Sequence, residues 1–330
     1  MTQHAMTLNS RIAQTAGAEV SELMERVEER LMSLAAGHGP LLTRHAGDTI
    51  AAGGKRLRPL LVVLAADPRV ARRNELIAAG AAVELIHSAT LVHDDVLDGA
   101  SLRRGVPTVW AQGGRALAVG TGDLLFSRAF SELAAAGSLE AVRSLSRATS
   151  ALAEGELLQR QDAWNAAVPI KRYMLRCELK TARLFEAACE MGALAADASA
   201  EDVAALGAFG RGIGLAFQLL DDGIDVAGPP SITGKSRGVD LLDGTVTLPL
   251  IIAREREPEL GEIDLRAITT PEQAEALCDR IEATGALAEA RARAHAVIDE
   301  ANARLDSLHA DGGRLRALRL VAESVVDRRS

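Results

Sequence analysis

Aromatic side chains are nearly absent from this sequence: it has two tryptophans, one tyrosine and five phenylalanines in 330 residues. With 48% of residues hydrophobic there is still apolar material for one large core or two modest ones, built from Ala, Leu, Val and Ile. Cysteine is equally scarce. Cys177, Cys189 and Cys278 are too few and too scattered for a disulfide framework or a zinc site, and the seven histidines show no HExxH spacing. No run of eighteen apolar residues occurs, so no transmembrane segment is read. The first residues lack a basic segment followed by an apolar run, so no signal peptide is read either, and a reducing cytoplasm is the expected setting. A net charge of −8 disfavours nucleic acid as a partner. Lysine is rare: only Lys55, Lys171, Lys180 and Lys235 occur, and arginine takes nearly every other cationic position. Alternation of the strand kind is also missing, while Ala, Leu, Glu and Arg dominate, which predicts an all-α protein.

What is present is organised around two acidic stretches. Residues 82–98 read as an apolar helix that ends in Asp94, Asp95 and Asp98, and residues 213–225 repeat the arrangement with Asp221, Asp222 and Asp225. At about 100° per residue, the first and last aspartate of each triplet stand nearly one above the other, with the middle one on the adjacent edge. Such a cluster at a helix C-terminus opposes the macrodipole. One cluster reads as solvated charge; two copies with one spacing, on apolar helices, point to a cation. Oxygen-only ligands select a hard divalent ion, and magnesium binds through one or two carboxylates plus substrate phosphates.

Residues 1–17 are polar and are expected to fray, and 18–330 are expected to form one domain, since no linker or composition shift divides them. Periodicity and Gly or Pro stops predict helices over 19–35, 41–52, 73–98, 115–136, 139–161, 170–195, 199–225, 248–255, 271–284, 286–309 and 313–327. Cations gather near the breaks. Lys55-Arg56-Leu57-Arg58-Pro59 precedes a helix N-terminus, a place suited to a diphosphate. Arg103-Arg104 lies in a Gly- and Pro-marked loop just past Asp98, Lys180-Thr181 lies mid-helix, and a flexible loop after Gly228-Pro229-Pro230 carries Lys235 and Asp240. His87, half-buried on the first acidic helix, reads on its own as packing rather than as a ligand.

With GGKRLRP at 53–59, HDDVLD at 93–98, RRG at 103–105, FQLLDD at 217–222, GK at 234–235 and TLPL at 247–250, the sequence resembles the trans-polyprenyl diphosphate synthases over almost its whole length. The resemblance implies an antiparallel helical bundle around a central cavity, the isoprenoid synthase type, usually a homodimer. It implies head-to-tail condensation of isopentenyl diphosphate onto an allylic diphosphate with two or three Mg²⁺ ions clamping the leaving group. By the same resemblance Asp94, Asp95, Asp98, Asp221, Asp222 and Asp225 hold the metals. Arg103, Lys180 and Lys235 contact the allylic diphosphate, with Thr181 beside them, and Lys55, Arg58, His87 and Arg104 hold the isopentenyl diphosphate. Gln218 lines the reacting centre. Released diphosphate takes the last proton, so no side-chain base is needed. Peripheral membrane contact during product release is compatible with this reading. Gly99, Trp110 and Gly223 depart from the family pattern, which there favours an acid, a small or polar residue, and a branched apolar one.

Product length is read from Ala89 and Thr90, five and four residues before Asp94. Short-chain relatives carry a bulky aromatic there; two small residues imply an open path and a product of about 30 carbons or longer, unless Phe126 or Leu145 supplies a floor. The alternatives are a geranylgeranyl diphosphate synthase and a non-catalytic partner subunit of a heteromeric synthase. A di-iron carboxylate bundle needs two Glu-x-x-His motifs, and only Glu84-x-x-His87 is present.

Overall fold

The computed structural model describes residues 8–36, 39–67, 69–103, 105–228, 237–308 and 311–326, apart from the side chains of Asn9 and Ser10. Arg104 and Lys235 lie outside the described residues. The chain divides into two compact units interleaved in sequence: Met1–Thr149 with Ala187–Gly207 and Leu308–Val321, and Ser150–Glu186 with Ala208–Ser307 and Ala322–Ser330. The first acidic motif belongs to the former and the second to the latter.

In the first unit, α1 (Leu8–Ala16), α2 (Ala18–Ala35), α3 (Gly39–Ala51), α4 (Leu57–Ala65) and α5 (Arg73–Leu97) lead to a minimal hairpin of β1 (Leu102–Arg103) and β2 (Val106–Pro107). Then come α6 (Val109–Ala136) and the start of α7 (Leu139–Asp162). Helix α1 occupies part of the stretch expected to fray, because Ile12 is buried at 1% exposure. The stripe Val20, Leu23, Val27 and Leu31 faces inward along α2 as the periodicity predicts. Gly80 lets α2 approach α5: a Cβ there would stand 2.9 Å from Val27 Cγ2. Helix α5 is buried over most of its length by Ala, Val, Leu and Ile, and α6 packs along it. Gly114, at φ 74° and ψ −176°, breaks α6 into a single turn and a long helix, which is why the apolar period begins only at about 115.

The second unit contains α8 (Ile170–Cys177), a π turn (Glu178–Ala182), the start of α9 (Arg183–Ala195) and most of α10 (Ala200–Ala227). After these come α11 (Val239–Leu242), α12 (Leu248–Arg256), α13 (Pro271–Ala283) and α14 (Ala286–Leu305), and α15 (Gly312–Val326) follows in the chain. Ser199 Oγ accepts the Asp202 N–H at 3.1 Å and so caps α10, and Thr270 with Gln273 forms a capping box on α13. Two expectations change here. The predicted helix 170–195 contains the π turn, and Asp240, expected in a flexible loop, sits in α11.

The protein is all-α except for the hairpin, among the described residues. By length and composition α5 and α10 could each cross a membrane; 78% of the apolar window of α5 and 44% of that of α10 are instead buried within the fold.

Candidate active site

The basic turn divides its cations by role. Arg56 takes the left-handed conformation (φ 48°) that ends the Gly53-Gly54 turn and starts α4. Its guanidinium donates to Glu28 at 2.6 Å, to the buried Glu84 at 2.8 Å and to the Ile50 carbonyl at 2.7 Å, tying α2, α3 and α5 together. Glu84 is therefore the counter-charge of Arg56, which removes the one Glu-x-x-His motif that a di-iron site would use. Lys55 is exposed and Arg58 is half-buried on either side of this anchor.

In the first motif the helix pitch separates the three aspartates. Asp95 is buried and accepts the Arg103 Nε–H at 2.7 Å; Asp94 is half-buried, and Asp98 is exposed at the C-cap, its N–H donating to the Asp94 carbonyl. The hairpin brings Arg103 back over the helix end, held by Thr108, which donates to the Ala100 carbonyl at 2.6 Å. A cavity of about 440 Å³ opens here, walled by Asp48, Thr49, Leu91, Asp95, Arg103 and Gln112. His93 packs on α6 so closely that only glycine fits at Gly122, where a Cβ would stand 2.2 Å from Nε2. Phe126 stacks on the His93 ring at 6.3 Å, beside the first acidic motif rather than far beneath it. His87 and Thr90 are half-buried, whereas Ala89 and Leu145 are fully buried.

The second motif is built into a polar network. Asp222 is buried; its Oδ2 accepts the Tyr173 hydroxyl at 2.6 Å and its Oδ1 accepts the Gln218 amide at 2.7 Å. Gln218 in turn accepts the Thr181 hydroxyl at 2.7 Å. Lys180, one residue earlier on the π turn, donates to Glu156 and to Gln159 on α7. Asp225 accepts the N–H groups of Val239 and Asp240 at 3.2 Å each and so caps α11. Asp221 is exposed.

Burial pushes the Asp222 carboxyl up to about 6, against the hydrogen bonds from Tyr173 and Gln218. Asp240 is raised well above the ordinary carboxylate range, first by burial and then by Asp225, Asp222, Asp221 and Asp243 around it. Such crowding of carboxylates is relieved by a multivalent cation. Among the described residues no three His, Cys, Asp or Glu side chains form a ready-made cage. The carboxylates of the two motifs offer oxygen donors only, and magnesium takes one or two carboxylates and completes its shell with water and phosphate. The donor set therefore fits the ion.

Sequence reasoning missed Tyr173 and the anchoring role of Arg56, and it placed Asp240 only in a loop. The one available signal for Tyr173 was its being the sole tyrosine in so aromatic-poor a chain.

These features define a helical protein with paired acidic motifs and flanking cations. The chain belongs to the polyprenyl synthetase family, whose sequence profile matches residues 40–283. It is 37% identical to heptaprenyl diphosphate synthase component 2 of Geobacillus stearothermophilus, over 88% of this chain and 91% of that one. It is also 37% identical to geranylgeranyl diphosphate synthase of Methanosarcina mazei, over 78% and 81%. The fold is similar to that of a polyprenyl synthase from Caulobacter crescentus complexed with calcium and isoprenyl diphosphate, with TM-score 0.88 and 35% identity over 100% of both chains.

Proposed function

We propose that this protein condenses isopentenyl diphosphate onto an allylic diphosphate, using Mg²⁺, and extends the chain to about 30 carbons or more. The observation that carries the reading is the placement of two aspartate triplets at the C-terminal ends of two apolar helices, where the macrodipole disfavours negative charge. Bound at these carboxylates, two or three magnesium ions would supply the positive charge that a departing diphosphate needs. In this reading Asp94, Asp98 and Asp221 give oxygens to the ions, and Asp95, Asp222 and Asp225 are oriented by Arg103, by Tyr173 with Gln218, and by the α11 N-terminus. The calcium in the Caulobacter structure supports a divalent ion in this family.

Lys55, Arg58, His87 and Arg104 bind the isopentenyl diphosphate in this reading. Arg103, Lys180, Thr181 and Lys235 bind the allylic one. Lys180 and Arg103 start from ion pairs with Glu156 and Asp95, so phosphate exchanges with carboxylate rather than meeting a loose side chain. Small Ala89 and Thr90 and the name of the Geobacillus relative support a long product; the name of the Methanosarcina relative favours the second reading, a geranylgeranyl diphosphate of about 20 carbons. "Component 2" also raises a two-component arrangement; the six aspartates argue against this chain being the non-catalytic subunit of such a pair, and activity of the chain alone tests the arrangement itself. The protein is proposed to work as a homodimer in the cytoplasm. Incubation of the pure chain with isopentenyl diphosphate, geranyl, farnesyl or geranylgeranyl diphosphate and Mg²⁺, followed by product sizing, decides among these readings.

A further inference from the structure

The proposed chemistry uses aspartates and cations, and it leaves the buried phenol of Tyr173 without a task. Tyr173 is the chain's only tyrosine and is fully buried. A buried phenol needs a partner, and a phenylalanine would fill the same space at lower desolvation cost. Its hydroxyl donates to Asp222 Oδ2 at 2.6 Å. The ring is fixed in turn: the Arg176 guanidinium lies 5.2 Å from its centroid and is tied to the Val246 carbonyl at 2.6 Å.

The other side of Asp222 is fixed as well. Gln218 donates to Oδ1, and its own carbonyl accepts from Thr181, so the polarity of the chain runs one way, toward the carboxylate. Thr181 is placed by the π turn, which two glycines press from opposite helices. A Cβ at Gly155 on α7 would stand 2.5 Å from the Lys180 nitrogen, and one at Gly214 on α10 would stand 2.7 Å from the Ala182 Cα. Any side chain at either position would push the turn away. Asp222, with one donor on each oxygen, therefore cannot swing outward, whereas its neighbour Asp221 is exposed.

We propose that Tyr173 is a positioning residue for the second acidic motif: by clamping Asp222 against Gln218 it fixes the last turns of α10 and so aims Asp221 at the metal ion. The inference rests on the magnesium-dependent reading above. It gives the buried carboxylate a reason to exist: its charge stays behind Asp221, strengthening the pull on the cation without itself leaving the protein network.

The test measures Mn²⁺ binding by loss of its free electron paramagnetic resonance signal, in the presence of inorganic diphosphate, for wild type, Tyr173→Phe and Thr181→Val. Tyr173→Phe should weaken Mn²⁺ binding roughly tenfold, equivalent to about 1.4 kcal/mol. Thr181→Val, two hydrogen bonds from Asp222 where Tyr173 is one, should give a smaller shift in the same direction. In the condensation assay Tyr173→Phe should lower kcat and raise the Mg²⁺ concentration for half-maximal rate, with the KM for isopentenyl diphosphate unchanged. Mn²⁺ affinity within twofold of wild type in both variants overturns the proposal. So does a KM that rises in parallel with the lost affinity, the mark of a general structural prop, and so does a wild type that binds no Mn²⁺. A wild type that shows the Mn²⁺ shifts but condenses no isopentenyl diphosphate leaves the positioning role standing and removes the proposed activity instead.

Discussion

At the scale of single residues, the site rests on aspartates that share a motif but not an environment. Asp221 is exposed, Asp222 is buried with a donor on each oxygen, and Asp225 caps a helix. The i, i+1, i+4 spacing was legible in the sequence. The division of labour was not, because it depends on Tyr173, 49 residues earlier, and on Val239 and Asp240, which follow a chain break in helical pattern. Burial gives Asp222 a testable pH signature. Its carboxyl is raised from 3.8 to about 6 by folding, so its contribution to stability is full below pH 3.8 and is lost as pH rises through 6. In the presence of EDTA, the melting temperature of Asp222→Asn relative to wild type should therefore fall steadily as pH is lowered from 7 to 4. Thermal melts across that range check this, and a difference independent of pH contradicts it.

At the scale of elements, apolar periodicity and Gly or Pro stops placed most helix boundaries within a few residues, since each long helix buries one face or nearly all of itself. What could not be seen is local geometry imposed by neighbours. Gly155 and Gly214 admit two helices to the backbone of the π turn, and α1 buries Ile12. The basic turn is similar. KRxR gives no hint that Arg56 is structural while Lys55 and Arg58 flank it, because Glu28 and Glu84 are brought to it only by α2 and α5. Arg56→Ala leaves Glu84 buried and uncompensated and should cost about 3–5 kcal/mol in urea unfolding. Glu28→Ala, at an exposed partner, should cost about 1 kcal/mol or less. Equal costs would mean that the pair with Glu84 is not the anchor. Exposure also separates the two residues tied to product length. Ala89 is fully buried and Thr90 only partly, so Thr90→Phe should shorten the product with condensation retained. Ala89→Phe overpacks the core and should cost about 1–3 kcal/mol of stability. Product sizing and denaturant melts of both variants check this, and a shorter product from Ala89→Phe alone contradicts it.

At the scale of the whole molecule, few aromatics and many alanines and leucines were enough to predict an all-α protein, and the ordered motifs were enough to predict its family. The two interleaved units were not legible, because no linker marks them and each is assembled from separate stretches of the chain. Leu97, Leu102 and Val106 stand exposed around the hairpin, and the homodimer proposed here should show as a scattering mass of about twice 34.7 kDa at micromolar concentration. A clean monomer would count against it. Metal-dependent chain elongation by this chain alone is tested by the size of the product that the purified protein forms from isopentenyl and farnesyl diphosphates with Mg²⁺. The expected product is a polyprenyl diphosphate of about 30 carbons or more, with turnover abolished by EDTA and lowered by orders of magnitude in Asp94→Ala and Asp221→Ala. No product from the chain alone, or turnover undiminished in EDTA, would contradict it.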